Sequence, residues 1–176
     1  MLIQVTNETK PLGVPYSRSA SDASSHSYID LKRTPESLKD IPEIRDCPEL
    51  ATTLQKLNRP EIPFRTLGCE KCVIPQDDGM YGASGYVQVC FDDTETAKDQ
   101  ENYLALFRRF QVHAAQGWPD NDTVVQFEMQ PTFFIELNET CWSFSFWLIV
   151  RNCKSDIAAK EKWSNALKFF REFLLQ

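Results

Sequence analysis

Two consecutive stretches in the second half of the chain constrain its fold more than any other feature. From Val125 to Leu137 the residues Val125, Phe127, Met129, Phe133, Ile135 and Leu137 are apolar and occupy odd positions. Gln126, Glu128, Gln130, Thr132 and Glu136 fall between them. Side chains of an extended chain alternate between faces, so this pattern predicts a half-buried strand with a wet outer face. Pro131 has no N–H to give to a ladder and predicts an edge or a bulge. Asn138-Glu139-Thr140 reads as a turn into a second strand, Cys141 to Arg151, in which Trp142, Phe144, Phe146, Leu148 and Val150 share one face. Ser155 or Asp156 then caps a helix whose stripe is Trp163, Ala166, Leu167, Phe170, Phe173 and Leu174.

The preceding segment repeats this order. Phe64 to Ile74 and Gly85 to Phe91 read as strands joined by a loop from Pro75 to Ser84. Asp92-Asp93-Thr94 offers caps for a helix from Glu95 to Gln116, with Tyr103, Leu104, Phe107, Phe110 and Ala114 as its apolar stripe. The expected fold is therefore α+β: an antiparallel sheet of about four strands, ordered β-β-α-β-β-α, with helices packed on one face.

The first third differs. Residues 11 to 27 are rich in Ser, Pro and Gly and bury too little surface to offset their ordering entropy. Thr34-Pro35-Glu36 starts a short helix that Pro42 stops, and Cys47-Pro48-Glu49 opens a better one carrying Leu50, Leu54 and Leu57. Residues 1–60 are expected to form an arm with short helices, partly irregular, packed on or linked to an α+β domain spanning 61–176. A chain of 176 residues is long enough for one sizeable core.

A formal net charge of −6 argues against a nucleic-acid surface and leaves room for a basic protein partner. No apolar run approaches the roughly 18 residues of a membrane span. The N-terminus lacks the basic and apolar regions of an export signal. A cytoplasmic location is therefore expected, and six Cys in such a reducing compartment imply no disulfide framework. Gly79 to Gly85 lacks the Lys-Ser or Lys-Thr of a phosphate-binding loop, and no cofactor motif occurs elsewhere.

Several residues bear on chemistry. Cys69-Glu70-Lys71-Cys72 has the spacing of a half zinc site or a redox pair, but it leads into a strand-like run rather than a helix. Two ordinary thiols in or beside a strand is the plainer reading. His113 lies late in a helix, where it stabilises the helix dipole. The carboxylate pairs Asp77-Asp78, Asp92-Asp93 and Asp120/Asp122 fall at turns or caps, where Asp satisfies backbone N–H groups. No catalytic or metal-ligating set emerges. The Met80 to Gly85 stretch, including Tyr81, has the glycine content of a lid. Phe134, Trp147 and Ile149 have the parity of the wet strand face, and an apolar island there marks a partner or ligand surface, or a patch covered by the N-terminal arm.

The leading expectation is a non-catalytic protein-interaction module (an immunity-like inhibitor, chaperone or adaptor) working through the strand face around Phe134 and Trp147. The alternative is an enzyme or small-ligand binder with a pocket between sheet and helices, closed by Met80 to Gly85. A third reading is a zinc or redox protein using Cys69 and Cys72.

Overall fold

A computed structural model describes residues 2–5, 11–16, 27–76, 79–118 and 123–176. The Ser-rich run 17–26 and the carboxylate pairs Asp77-Asp78 and Asp120/Asp122 lie outside the described residues. The strands are β1 (Leu2–Val5), β2 (Leu12–Val14), β3 (Phe64–Pro75), β4 (Tyr81–Phe91), β5 (Thr123–Phe134) and β6 (Glu139–Cys153). The α-helices are α1 (Pro48–Leu57), α2 (Thr94–Lys98), α3 (Gln100–Gly117) and α4 (Asp156–Leu174), with 3-10 turns at Pro35–Asp40 and Pro42–Ile44. No helix among the described residues is long and apolar enough to cross a membrane.

The class is α+β, but the sheet is mixed rather than purely antiparallel. Strands β3, β4, β6 and β5 pair antiparallel in that spatial order, while β1 and β2 both pair parallel to β5 along its outer edge. The arm thus contributes strands that its composition conceals. An open edge presents unpaired N–H and C=O groups, and short extended segments satisfy them whatever their side chains. Pro131 falls at the break in that edge: β1 pairs Gln126 to Met129, β2 pairs Thr132 to Phe134, and Gln130 and Pro131 lie between the two registers.

One sheet face carries α1, α3 and α4, while α2 packs through Ala97 on the other, so the helices do not all share one face. Phe127 and Met129 of β5, Phe144, Phe146 and Leu148 of β6 and Val87 and Val89 of β4 are buried against α1, α3 and α4. Phe110 of α3 is the hub, with ring centroids 5.2 Å from Phe146, 5.7 Å from Phe170 and 5.2 Å from Phe173. Phe146 and Phe170 stack at 3.6 Å, and Phe127 stacks on Phe144 at 4.8 Å. Arg171 of α4 pairs with Glu49 of α1, tying the two helices where both charges leave bulk water.

Local boundaries depart from expectation for identifiable reasons. The helix expected over Glu95 to Gln116 is two helices, because Asp99 is extended and caps α3 by accepting from the Glu101 N–H at 2.9 Å. Asp93 caps α2 in the same way. The strand expected to reach Leu137 ends at Phe134, and Ile135 and Leu137 stand exposed in a turn whose Asn138 takes φ 54°. The expected Pro75 to Ser84 loop shrinks to a hairpin connection closed by Gln76 N–H donating to Met80 C=O at 2.8 Å. Tyr81 to Ser84 belong to β4.

Candidate binding site

The opposite sheet face has two regions. At one end a satellite core forms from Val14, Leu67, Cys90, Ala97, Phe134 and Cys141, with Tyr16 and Tyr28 packed against it. Phe134 therefore does not belong to an open surface. Val14 of β2 lies opposite it in the ladder, only 6% of it is exposed, and the Arg65 guanidinium sits 5.9 Å from its ring. Here the arm covers the apolar island. Asp92 anchors the same end, accepting from Lys32 Nζ at 2.9 Å and Arg65 Nε at 2.8 Å. Burial alone would raise the Asp92 pKa, but these two cations outweigh it and hold the carboxyl below its ordinary range.

A buried polar chain follows. Gln88 Nε2 donates to Ser143 Oγ at 3.0 Å, and Ser143 shares a 2.7 Å hydrogen bond with Thr132 Oγ1. Each polar group finds a partner, so the sheet tolerates them without an apolar cover.

Beyond that chain the face opens into a concave pocket of about 870 Å³. Its floor is a row running across three strands, Glu70 of β3 opposite Tyr86 of β4 and Tyr86 opposite Trp147 of β6, with Glu128 and Gln130 of β5 beside it. The Tyr86 and Trp147 rings lie 4.6 Å apart, and Trp147 Nε1 donates to Glu128 Oε2 at 2.8 Å. Leu12 and Tyr16 from the arm, Pro42 and Glu43 from the second 3-10 turn and Asp46 just after it form the walls. Tyr16 is held by its hydroxyl, which donates to Leu67 C=O at 3.0 Å. A Cβ on Gly68 would come within 3.2 Å of that hydroxyl, so a glycine here lets the phenol lie against β3.

The thiols and phenols of the pocket are held neutral. Burial, with help from the charges of Cys69 and Glu43, pushes Tyr16 up to about 12. Burial first, then Glu43, raises the Cys69 thiol, and burial with Glu70 raises Cys72. Tyr86 is raised by burial and by neighbours including Tyr16 and Glu70. These shifts run opposite to the activation of a nucleophile.

The expected site residues scatter. Trp147 is half-buried on the pocket floor, and Ile149 shares its face, opposite Ser84. Met80 sits in the β3–β4 connection, and Tyr81 packs against the helix-side core. The pocket lies on the face away from α1, α3 and α4, not between the sheet and those helices. Cys69 and Cys72 both lie in β3, but Cys69 pairs with Val87 and Cys72 with Ser84, so strand alternation sends them to opposite faces. Among the described residues no three His, Cys, Asp or Glu side chains gather in a metal-holding group. His113 packs its ring on Phe169 at 4.6 Å and on Phe173 at 5.4 Å, joining α3 to α4.

Tyr86, Glu70 and Glu128 were not singled out by sequence reasoning. A signal for Tyr86 was present in the alternation of Ser84, Tyr86 and Gln88 with Gly85, Val87 and Val89. Tyr16 had no such signal, since it reaches the pocket only through the pairing of β2. Comparison with protein-family models, curated proteins and solved structures finds no significant match to this chain.

Proposed function

We propose that the protein is a non-catalytic interaction module, an inhibitor, chaperone or adaptor, that receives its partner in the concave pocket centred on Trp147. The observation that carries this reading is the pocket itself, an aromatic floor with polar neighbours on the sheet face away from α1, α3 and α4. Aromatic rings with one wet edge supply contact area at low entropic expense and recur at the centres of recognition sites. Neutral, desolvated thiols and phenols favour binding over covalent chemistry. The six free cysteines fit the reducing environment of the cytoplasm.

The test is capture by the tagged full chain, compared with Trp147→Ser and with Ile157→Ser, an exposed position on α4. A protein retained by wild type and Ile157→Ser but lost with Trp147→Ser supports the reading. Capture indifferent to Trp147 overturns it.

A further inference from the structure

Resting on that reading of the pocket, we propose that the group seated on its floor is a cation, an alkylammonium or guanidinium held over the Tyr86 and Trp147 rings between Glu70 and Glu128. Three independent features converge. The two rings, 4.6 Å apart and inclined at 44°, form a continuous π surface at the base of the cavity. Cations are drawn to the faces of such rings, most strongly to Trp and most of all where water is displaced. Next, the indole N–H donates to the Glu128 carboxylate, which enriches the π face of Trp147 and sets a negative charge at its rim. On the other flank, Glu70 is the cross-strand partner of Tyr86, so a second carboxylate borders the same surface.

The surrounding charge agrees. Among the described residues, Glu43, Asp46, Glu70 and Glu128 line the cavity together with one cation, Lys71. The Lys71 side chain is 3% exposed and turned toward Asp46 at 3.5 Å, which a second lysine, Lys160, also approaches at 3.7 Å. Asp46 thereby engages both of these lysines at the wall. Beyond its burial, the Tyr86 phenol is raised by Glu70 and Glu43, as expected where the local potential is negative. An acidic ligand would meet these carboxylates at close range, and a purely apolar one would strip water from them without replacing their hydrogen bonds.

The experiment follows the Trp147 indole N–H signal of the isotope-labelled full chain, identified by its loss in Trp147→Phe. The probes are choline, acetyl-arginine methylamide, the neutral alcohol 3,3-dimethylbutan-1-ol, which matches choline in shape without its charge, and acetyl-glutamate methylamide. A saturable shift with choline or the arginine derivative, weakened by salt and absent with the alcohol, is the expected result. Glu70→Gln should weaken it about fivefold by removing one flanking charge. Glu128→Gln keeps an acceptor for the indole while removing the other charge and should act in the same direction. Acetyl-arginine methylamide binding more tightly than choline would place the cation on a protein partner, and the reverse order would place it on a free amine. Equal shifts with choline and the alcohol, or a shift with the glutamate derivative alone, would overturn the cation assignment while leaving the pocket a binding site. Silence from every probe would also overturn it. The partner reading itself stands or falls separately, on whether capture depends on Trp147.

Discussion

The indole of Trp163 occupies the space that a Cβ on Gly85 would need. Such an atom would lie 2.9 Å from Trp163 Cζ2 and 2.3 Å from the backbone oxygen of Glu70. Gly85 is therefore the point where α4 settles onto the sheet, and the backbone of β3 closes off any sideways escape. Gly85→Ala should destabilise the fold by roughly 1–3 kcal/mol, the range for overpacking a dense core. Urea unfolding checks this, and an unchanged midpoint would mean that α4 sits farther from β4.

The aromatic layer beneath that contact makes a second prediction. Phe127, Phe144 and Phe170 are fully buried together, with Phe144 stacked on Phe127 and 6.3 Å from Phe170. Phe144→Ala should lower stability by roughly 3–5 kcal/mol in chemical denaturation. A loss below about 1 kcal/mol would contradict this packing.

Asp92 links stability to acid pH. Its folded carboxyl is held below the ordinary 3.8 because Lys32 and Arg65 outweigh the effect of burial. A lowered carboxylate pKa contributes stability above the unfolded value, and that contribution disappears as pH falls through the folded value. Melting temperatures of Asp92→Asn should lie below wild type at neutral pH and converge with it below pH 3.8. Parallel curves down to strong acid would show that the ion pairs contribute nothing through titration.

The alkaline side has the opposite sign. Tyr16 rises from 10.0 to about 12, and burial is also the first cause of the upward shifts of Tyr28, Tyr86 and Tyr103. A raised phenol pKa contributes stability that is fully present below the unfolded value and is lost as pH climbs toward the folded one. Tyrosinate absorbance should therefore lag behind free tyrosine above pH 10 and then rise together with loss of tertiary structure. Early ionisation of all the tyrosines in an intact fold would refute the burial of these four.

Much of this architecture was legible because period two and period 3.6 leave direct traces in the order of residues. The β5–β6 hairpin and the antiparallel core follow from side-chain alternation, and the α4 stripe from the helical period. What escaped detection depends on backbone pairing and parity far along the chain. Leu12-Gly13-Val14 carries no strand pattern, yet it completes the edge of β5 and buries Phe134, dividing an apolar island that looked continuous with Trp147. The floor row of Glu70, Tyr86 and Trp147 exists only once two ladder registers are known, since its members are distant in sequence. Cys69 and Cys72, close in sequence, are separated by the same alternation that brings Tyr86 and Trp147 together.

That alternation makes Trp147 the decisive residue. It stands opposite Tyr86 and Gln126 on the face away from α4, so the helices that bury Phe146 and Leu148 do not cover it. Among the described residues, its side chain packs on the Tyr86 ring and donates one hydrogen bond to Glu128. Trp147→Ser should then lower stability by less than about 2 kcal/mol, well under the loss expected for a buried core aromatic. It should also abolish whatever association depends on the pocket, because a central aromatic contributes a disproportionate share of interface energy. Thermal unfolding and capture measured on the same preparation separate the two effects. A variant that binds as well as wild type would remove Trp147 from the recognition surface, whatever its stability.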